Sequence, residues 1–163
     1  MILGVEKTMR NFERRLKQVL NSIIVFLFGS IVMVTILQVF FRYCLNVPLM
    51  WTEELARYLF IWGILIASAR GLEEGLHIGI EIVLDKQSDK VRAIIKFFIY
   101  SIMIIFLVFV IYYGWVLVGK VITTKSPALH LPMSIVYLAL PFSSIIWIII
   151  ILKEMLKTYS LIK

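Results

Sequence analysis

Between residues 42 and 60 the chain reads RYCLNVPLMWTEELARYLF, which brings Arg42, Glu53, Glu54 and Arg57 together in otherwise apolar sequence. Paired carboxylates beside guanidinium groups can do general acid–base chemistry, relay an ion, start a helix or form a docking face. Catalysis asks for a nucleophile or base with an oriented partner. No serine, histidine or metal-type cluster converges with these four residues in the sequence, so an enzyme is not expected. His77 and His130 are too far apart for a metal motif. The single cysteine, Cys44, permits no internal disulfide and reads as a small packing residue. No cofactor and no metal are expected in this chain.

The same residues have a local reading. Pro48 ends an extended turn, and Thr52 is placed to cap a helix that begins with Glu53 and Glu54. Acidic side chains in a first turn oppose the positive end of the helix dipole, each contributing about 0.3–1 kcal/mol when exposed. Arg57 follows Glu53 by four residues and Glu54 by three, within side-chain reach in the favourable order. It lies only about 7.5 Å beyond Thr52 along the axis, so it can snorkel outward. On a helical wheel Trp51, Leu55, Tyr58 and Trp62 share one face, while Glu53, Arg57 and Ile64 point elsewhere. An aromatic face beside a charged edge suits protein docking. Trp51, Tyr58 and Trp62 are therefore expected to pack on neighbouring helices. Arg42, Glu53, Glu54 and Arg57 are expected to form a polar network at the outer membrane boundary, within this chain or to a partner.

The elements that carry this cluster follow from composition. The chain has 163 residues, suited to one domain over 1–163, and 61% are hydrophobic. Soluble domains average roughly 45–50%. An all-α membrane protein is indicated. Net charge is +7, but the basic residues flank apolar runs, which points to membrane lipids as their partners and not to nucleic acid. Val19 to Phe41, Phe97 to Gly119 and Met133 to Leu152 carry no Asp, Glu, Lys, Arg or His. The first of these spans roughly 34 Å as a helix, enough for a hydrocarbon core of about 30 Å. A fourth candidate, 51–69, has a clean apolar part only from Tyr58 to Ala69.

Charge decides for four transmembrane helices, over about 19–41, 51–69, 97–119 and 133–152. With all four crossing, both termini and the central loop share one side. Thirteen of the 17 Lys and Arg then lie there, leaving Arg42, Arg57, Lys120 and Lys125 opposite. The positive-inside rule makes that side, and both termini, cytoplasmic. The first span is too long for a signal-peptide core, and no small-x-small site follows it; it is expected to remain as an anchor. The N-terminal KTMRNFERRLKQVLNSI reads as a charged helix feeding the first span. Between helices 2 and 3, GLHIGIEIVLDKQSDKVRAIIK fits an amphipathic segment lying in the interface, since an open strand edge cannot sit in lipid. Pro127 and Pro132 predict a bent outer loop, and Pro141, which cannot donate a hydrogen bond, should kink the last span. Tyr112, Tyr113 and Trp115 are placed as an aromatic belt. Ser30, Thr35, Gln38 and Ser101 are expected to serve helix–helix packing. The barren spans offer no proton relay.

The stretch QVFFRYCLNVPLMWTEELARYLFIWGILIASARGLEEGLHIGIEIV resembles the signature region of the small membrane subunit of TRAP (tripartite ATP-independent periplasmic) transporters, the DctQ-like proteins. Arg42, Pro48, Trp51, Glu53, Glu54 and Arg57 carry the likeness, followed by His77 with an acidic residue at Glu81. SPALHLPMSIVYLALP extends it through Pro127, Leu129, Pro132, Met133, Tyr137 and Pro141, so that it covers about residues 15–155. Two positions depart: Glu81 stands where the family often has aspartate, and His130 where glycine or another small residue is expected.

The resemblance implies a non-catalytic small permease subunit of a secondary, sodium-coupled importer of an organic acid, of the sialic acid or C4-dicarboxylate type. It implies a bacterial inner-membrane, multi-pass location. Its partners would be a large multi-span subunit holding the substrate and sodium sites, and a periplasmic substrate-binding protein. The small subunit would act as a scaffold for the large one. Arg42, Trp51, Glu53, Glu54, Arg57, Tyr58, Trp62, His77 and Glu81 are the candidates for the subunit interface or its supporting network. The competing expectation is a stand-alone four-span carrier of the multidrug-efflux kind, which would want a carboxylate in its first span.

Overall fold

The computed structural model describes residues 2–73 and 89–162, and the side chains of 14–71 and 91–156. His77, Glu81 and most of the expected interfacial segment lie outside the described residues. Among the described residues five helical stretches occur in chain order: α1 (Ile2–Tyr43), α2 (Met50–Glu73), α3 (Asp89–Lys120), α4 (Met133–Tyr137) and α5 (Ala139–Ile162). No strand occurs among the described residues; one isolated bridge joins Lys125 to Pro132.

α1 contains no proline, so its charged N-terminal part and its apolar part continue as one helix of 42 residues. It stops where Asn46 takes a left-handed φ of 55°, tolerated by its short polar side chain, and Pro48 follows two residues later. The Val47 N–H reaches back to the Phe41 carbonyl at 3.0 Å. In the last helical region Pro141 has no N–H to give the Tyr137 carbonyl. The helix is accordingly interrupted at Leu138, which keeps helical angles (φ −58°, ψ −23°) and donates to Ser134 O at 2.9 Å.

Among the described residues three helices are long and apolar enough to cross a membrane: Arg14–Tyr43, Val91–Lys120 and Met133–Leu156. They contain the expected spans 19–41, 97–119 and 133–152. The fourth expected span, 51–69, is helical within α2, but Glu53, Glu54, Arg57 and Arg70 keep it outside that set.

The chain divides into two compact units, Met1–Arg70 with Pro127–Leu129, and Gly71–Ser126 with His130–Lys163. In the first, the covered positions of α1 include Lys17, Leu20, Ile24, Leu27, Ile31, Val34, Gln38 and Phe41. Their 3–4 spacing is that of a coiled-coil seam. Most of the remaining circumference is exposed, including Val25, Phe26, Met33 and Ile36. α1 meets α2 where a Cβ on Gly63 would lie 3.2 Å from the Phe28 ring, and where Arg70 Nε donates to Asn21 Oδ1 at 3.2 Å.

In the second unit α3 packs on α5. A Cβ on Gly114 would lie 3.1 Å from Pro141 Cδ, so the glycine admits the proline ring. Leu107, Val118, Ala139, Ile150 and Ile151 are buried here. The hydroxyls expected to pack between helices are mostly satisfied within their own: Ser30 donates to Phe26 O, Thr35 to Ile31 O and Ser101 to Phe97 O, at 2.7, 2.8 and 2.9 Å. Buried Ser143 and Ser144 both donate to Leu140 O. Such back-bonding satisfies a hydroxyl in an apolar setting without a second helix.

Candidate functional site

The head of α2 separates the charges that the sequence groups. α2 begins at Met50, two residues before the expected cap, because Pro48 bars helix only at and before Val47. Thr52 is therefore inside the first turn. Its side chain is fully buried, and its hydroxyl donates to the Leu49 carbonyl at 2.6 Å instead of accepting an N–H as a cap would. This corrects the capping expectation.

Glu53 and Glu54 are adjacent, so they project about 100° apart on the helix. Glu53 faces out and pairs with Arg57 at 3.3 Å, with 67% and 63% of the two side chains exposed. Glu54 turns inward and is only 7% exposed. Its Oε2 accepts the backbone N–H groups of Ala128 and Leu129, at 2.8 and 2.9 Å, and its Oε1 accepts the Tyr58 hydroxyl one turn along α2. Two successive amides converging on one oxygen form an anion-binding nest. Removing a carboxylate from water is costly unless it is hydrogen-bonded in this way.

The nest belongs to a loop with its own bracing. Ser126 N donates to Leu131 O at 2.8 Å, Leu131 N to Ser126 Oγ at 3.1 Å, and Met133 N to Thr124 O at 2.8 Å. Ser126 is buried. His130 closes the turn in the left-handed region, at φ 53°. That conformation favours glycine, which explains physically why a small residue is expected there and marks His130 as a strained choice.

Of the remaining candidates, those among the described residues lie on α1 and α2. Arg42, at the end of α1, lies 5.9 Å from the ring of its neighbour Tyr43, and forms no ion pair with Glu53 or Glu54 among the described residues. Trp51 is exposed, whereas Tyr58 and Trp62 are half-buried. The four charges thus form an exposed pair, a buried carboxylate and a separate arginine. Chemically, the site holds a loop in place: a fully engaged carboxylate, two backbone donors and a phenol. Sequence reasoning names Glu54 but misses its partners, because the amides of Ala128 and Leu129 look like any others in a sequence.

The profile of the tripartite ATP-independent periplasmic transporters' DctQ component matches residues 31–160. A provisionally named TRAP transporter small permease protein of Haemophilus influenzae is 24% identical over 150 residues, covering 92% of this chain and 93% of its own. The C4-dicarboxylate TRAP transporter small permease protein DctQ of Rhodobacter capsulatus is 30% identical over 104 residues, 61% of this chain and 44% of its own. The sialic acid TRAP transporter small permease protein SiaQ of Vibrio cholerae is 32% identical over 83 residues, 48% of each. The chain thus spans about half the length of these last two relatives. With three helices among the described residues long and apolar enough to cross a membrane, and a family match over most of its length, this is an integral membrane protein of the DctQ family, a small permease component of TRAP transporters.

Proposed function

We propose that this chain is the non-catalytic scaffold subunit of a sodium-coupled importer in the bacterial inner membrane, crossing it four times with both ends cytoplasmic. The transported molecule is an organic acid of the C4-dicarboxylate or sialic acid type, as the names of two relatives suggest. A large multi-span subunit carries the substrate and the sodium, and a periplasmic binding protein delivers the substrate. This chain holds no cofactor of its own.

The observation that carries the scaffold reading is the fate of the polar groups. The three most apolar spans lack ionisable side chains, and Ser30, Thr35, Ser101, Ser143 and Ser144 spend their hydroxyls on carbonyls of their own helices. An ion or proton path through the bilayer needs polar groups facing protein or water. The four-span topology is supported by the length of α2, roughly 36 Å for 24 residues, and by the one-sided distribution of Lys and Arg. A stand-alone carrier with a carboxylate in its first span finds no support, since Val19 to Phe41 has none.

The test is co-expression with the neighbouring genes, purification through a tag on this chain, and uptake measurements in proteoliposomes. A larger membrane protein should co-purify. Uptake should need that protein, a binding protein and an inward sodium gradient. Uptake by this chain alone, or its repeated purification without a larger membrane protein, would overturn the proposal.

A further inference from the structure

We propose that the end of the first unit where α1 meets the last turn of α2 binds the phosphate of an anionic phospholipid, through Lys17 and Arg70 with Arg14 one turn further out. Arg70 is fixed there by its Nε, which donates to Asn21 Oδ1 at 3.2 Å. Lys17 precedes Asn21 by four residues and Arg14 by seven, so all three share one face of α1. Lys17 and Arg70 are half-buried and Arg14 is exposed, which holds two of the cations against the helix pair.

Depth favours a lipid. Asn21 lies at the start of the uncharged run of α1, and Arg70 is the first charge after the apolar stretch ending at Ala69. The Asn21–Arg70 contact therefore marks the level where hydrocarbon gives way to headgroups. Beyond it α1 exposes Val25, Phe26 and Met33, apolar surface along which acyl chains can lie. In the sequence of these two helix ends, residues 10–17 and 70–74, five Lys and Arg stand against three Glu. A guanidinium offers planar, paired donors to phosphate oxygens, and a lysine beside it adds a point charge.

Native mass spectrometry of the full chain in detergent, titrated with phosphatidylglycerol or phosphatidylcholine, tests this. The wild type should retain phosphatidylglycerol and not phosphatidylcholine. The Lys17→Gln/Arg70→Gln double variant should lose at least tenfold in phosphatidylglycerol affinity, while Lys153→Gln, a basic residue on α5, should not. Should the double variant fail to fold, Lys17→Gln alone should lose about threefold. Retention by the charge-neutralised variants, an equal loss in Lys153→Gln, or equal thermal stabilisation by inorganic phosphate would overturn the proposal, the last assigning the site to a soluble anion.

Discussion

Replacing Glu54 by alanine should release the outer loop, and the geometry sets the scale. The carboxylate accepts two amide hydrogen bonds at 2.8 and 2.9 Å and a third from Tyr58. Hydrogen bonds to a charged group contribute about 1.5–3 kcal/mol each, and a buried donor left unmade costs about 1–3 kcal/mol. Water can reach part of the vacated space because Pro127 is exposed and Ala128 and Leu129 are only half-buried. We therefore expect Glu54→Ala to lose about 3–4 kcal/mol. For a chain of this size that is a fall of roughly 6–16 °C in Tm. Glu54→Gln keeps an oxygen able to accept both amides and loses mainly the charge, so about 1–2 kcal/mol should go. Thermal unfolding in detergent measures the loss. A cysteine at Lys125 in a Cys44→Ser background reports the loop: its maleimide labelling should quicken in Glu54→Ala. If Glu54→Ala unfolds within 1 °C of the wild type and the loop labels at the same rate, the carboxylate does not hold the nest.

Other substitutions probe the packing. Gly114→Ala should destabilise by about 1–3 kcal/mol, because its Cβ would press on the fixed Pro141 ring at 3.1 Å; Gly63→Ala should cost less, since the Phe28 ring at 3.2 Å can tilt. Gly29→Ala, with nothing within 4 Å, should gain up to about 1 kcal/mol of helix propensity, and all three are read by Tm. His130→Gly should gain about 0.5–1 kcal/mol by relieving the left-handed φ, whereas His130→Val should lose at least as much as the glycine gains. Arg57→Ala should cost under about 0.5 kcal/mol, with the difference shrinking further in high salt, as an exposed pair does.

Much of the fold is legible from one-dimensional features. Unbroken apolar runs mark α1, α3 and the last helix, because hydrophobicity and length suffice to define a span. Pro127, Pro132 and Pro141 mark the loop and the interruption at Leu138, since a missing N–H acts locally. The candidate site is legible only in part. The i, i+4 pairing of Glu53 with Arg57 follows from helix geometry; the bond from Tyr58 to Glu54 has the same spacing, but the sequence reading assigns Tyr58 to the aromatic face. The capping role given to Thr52 fails because the helix starts as soon as Pro48 permits, a boundary that propensity does not resolve. The nest at Ala128 and Leu129 is invisible in sequence because its donors are backbone groups some 74 positions away. The left-handed φ of His130 has one trace, its place in a loop position where a small residue is expected.

The two glutamates at the head of α2 are not spares for one another. Each residue turns a helix by about 100°, and the connection from Cys44 to Leu49, bent at Asn46, sets the phase at which α2 emerges. Deleting one residue there would leave the composition, the span and the charge nearly untouched. It would also rotate the helix until Glu54 no longer met the two loop amides and a neighbour took its place. The length of that connection, together with the bend at Asn46 and the stop at Pro48, therefore decides which side of α2 carries a hidden charge and which an open one.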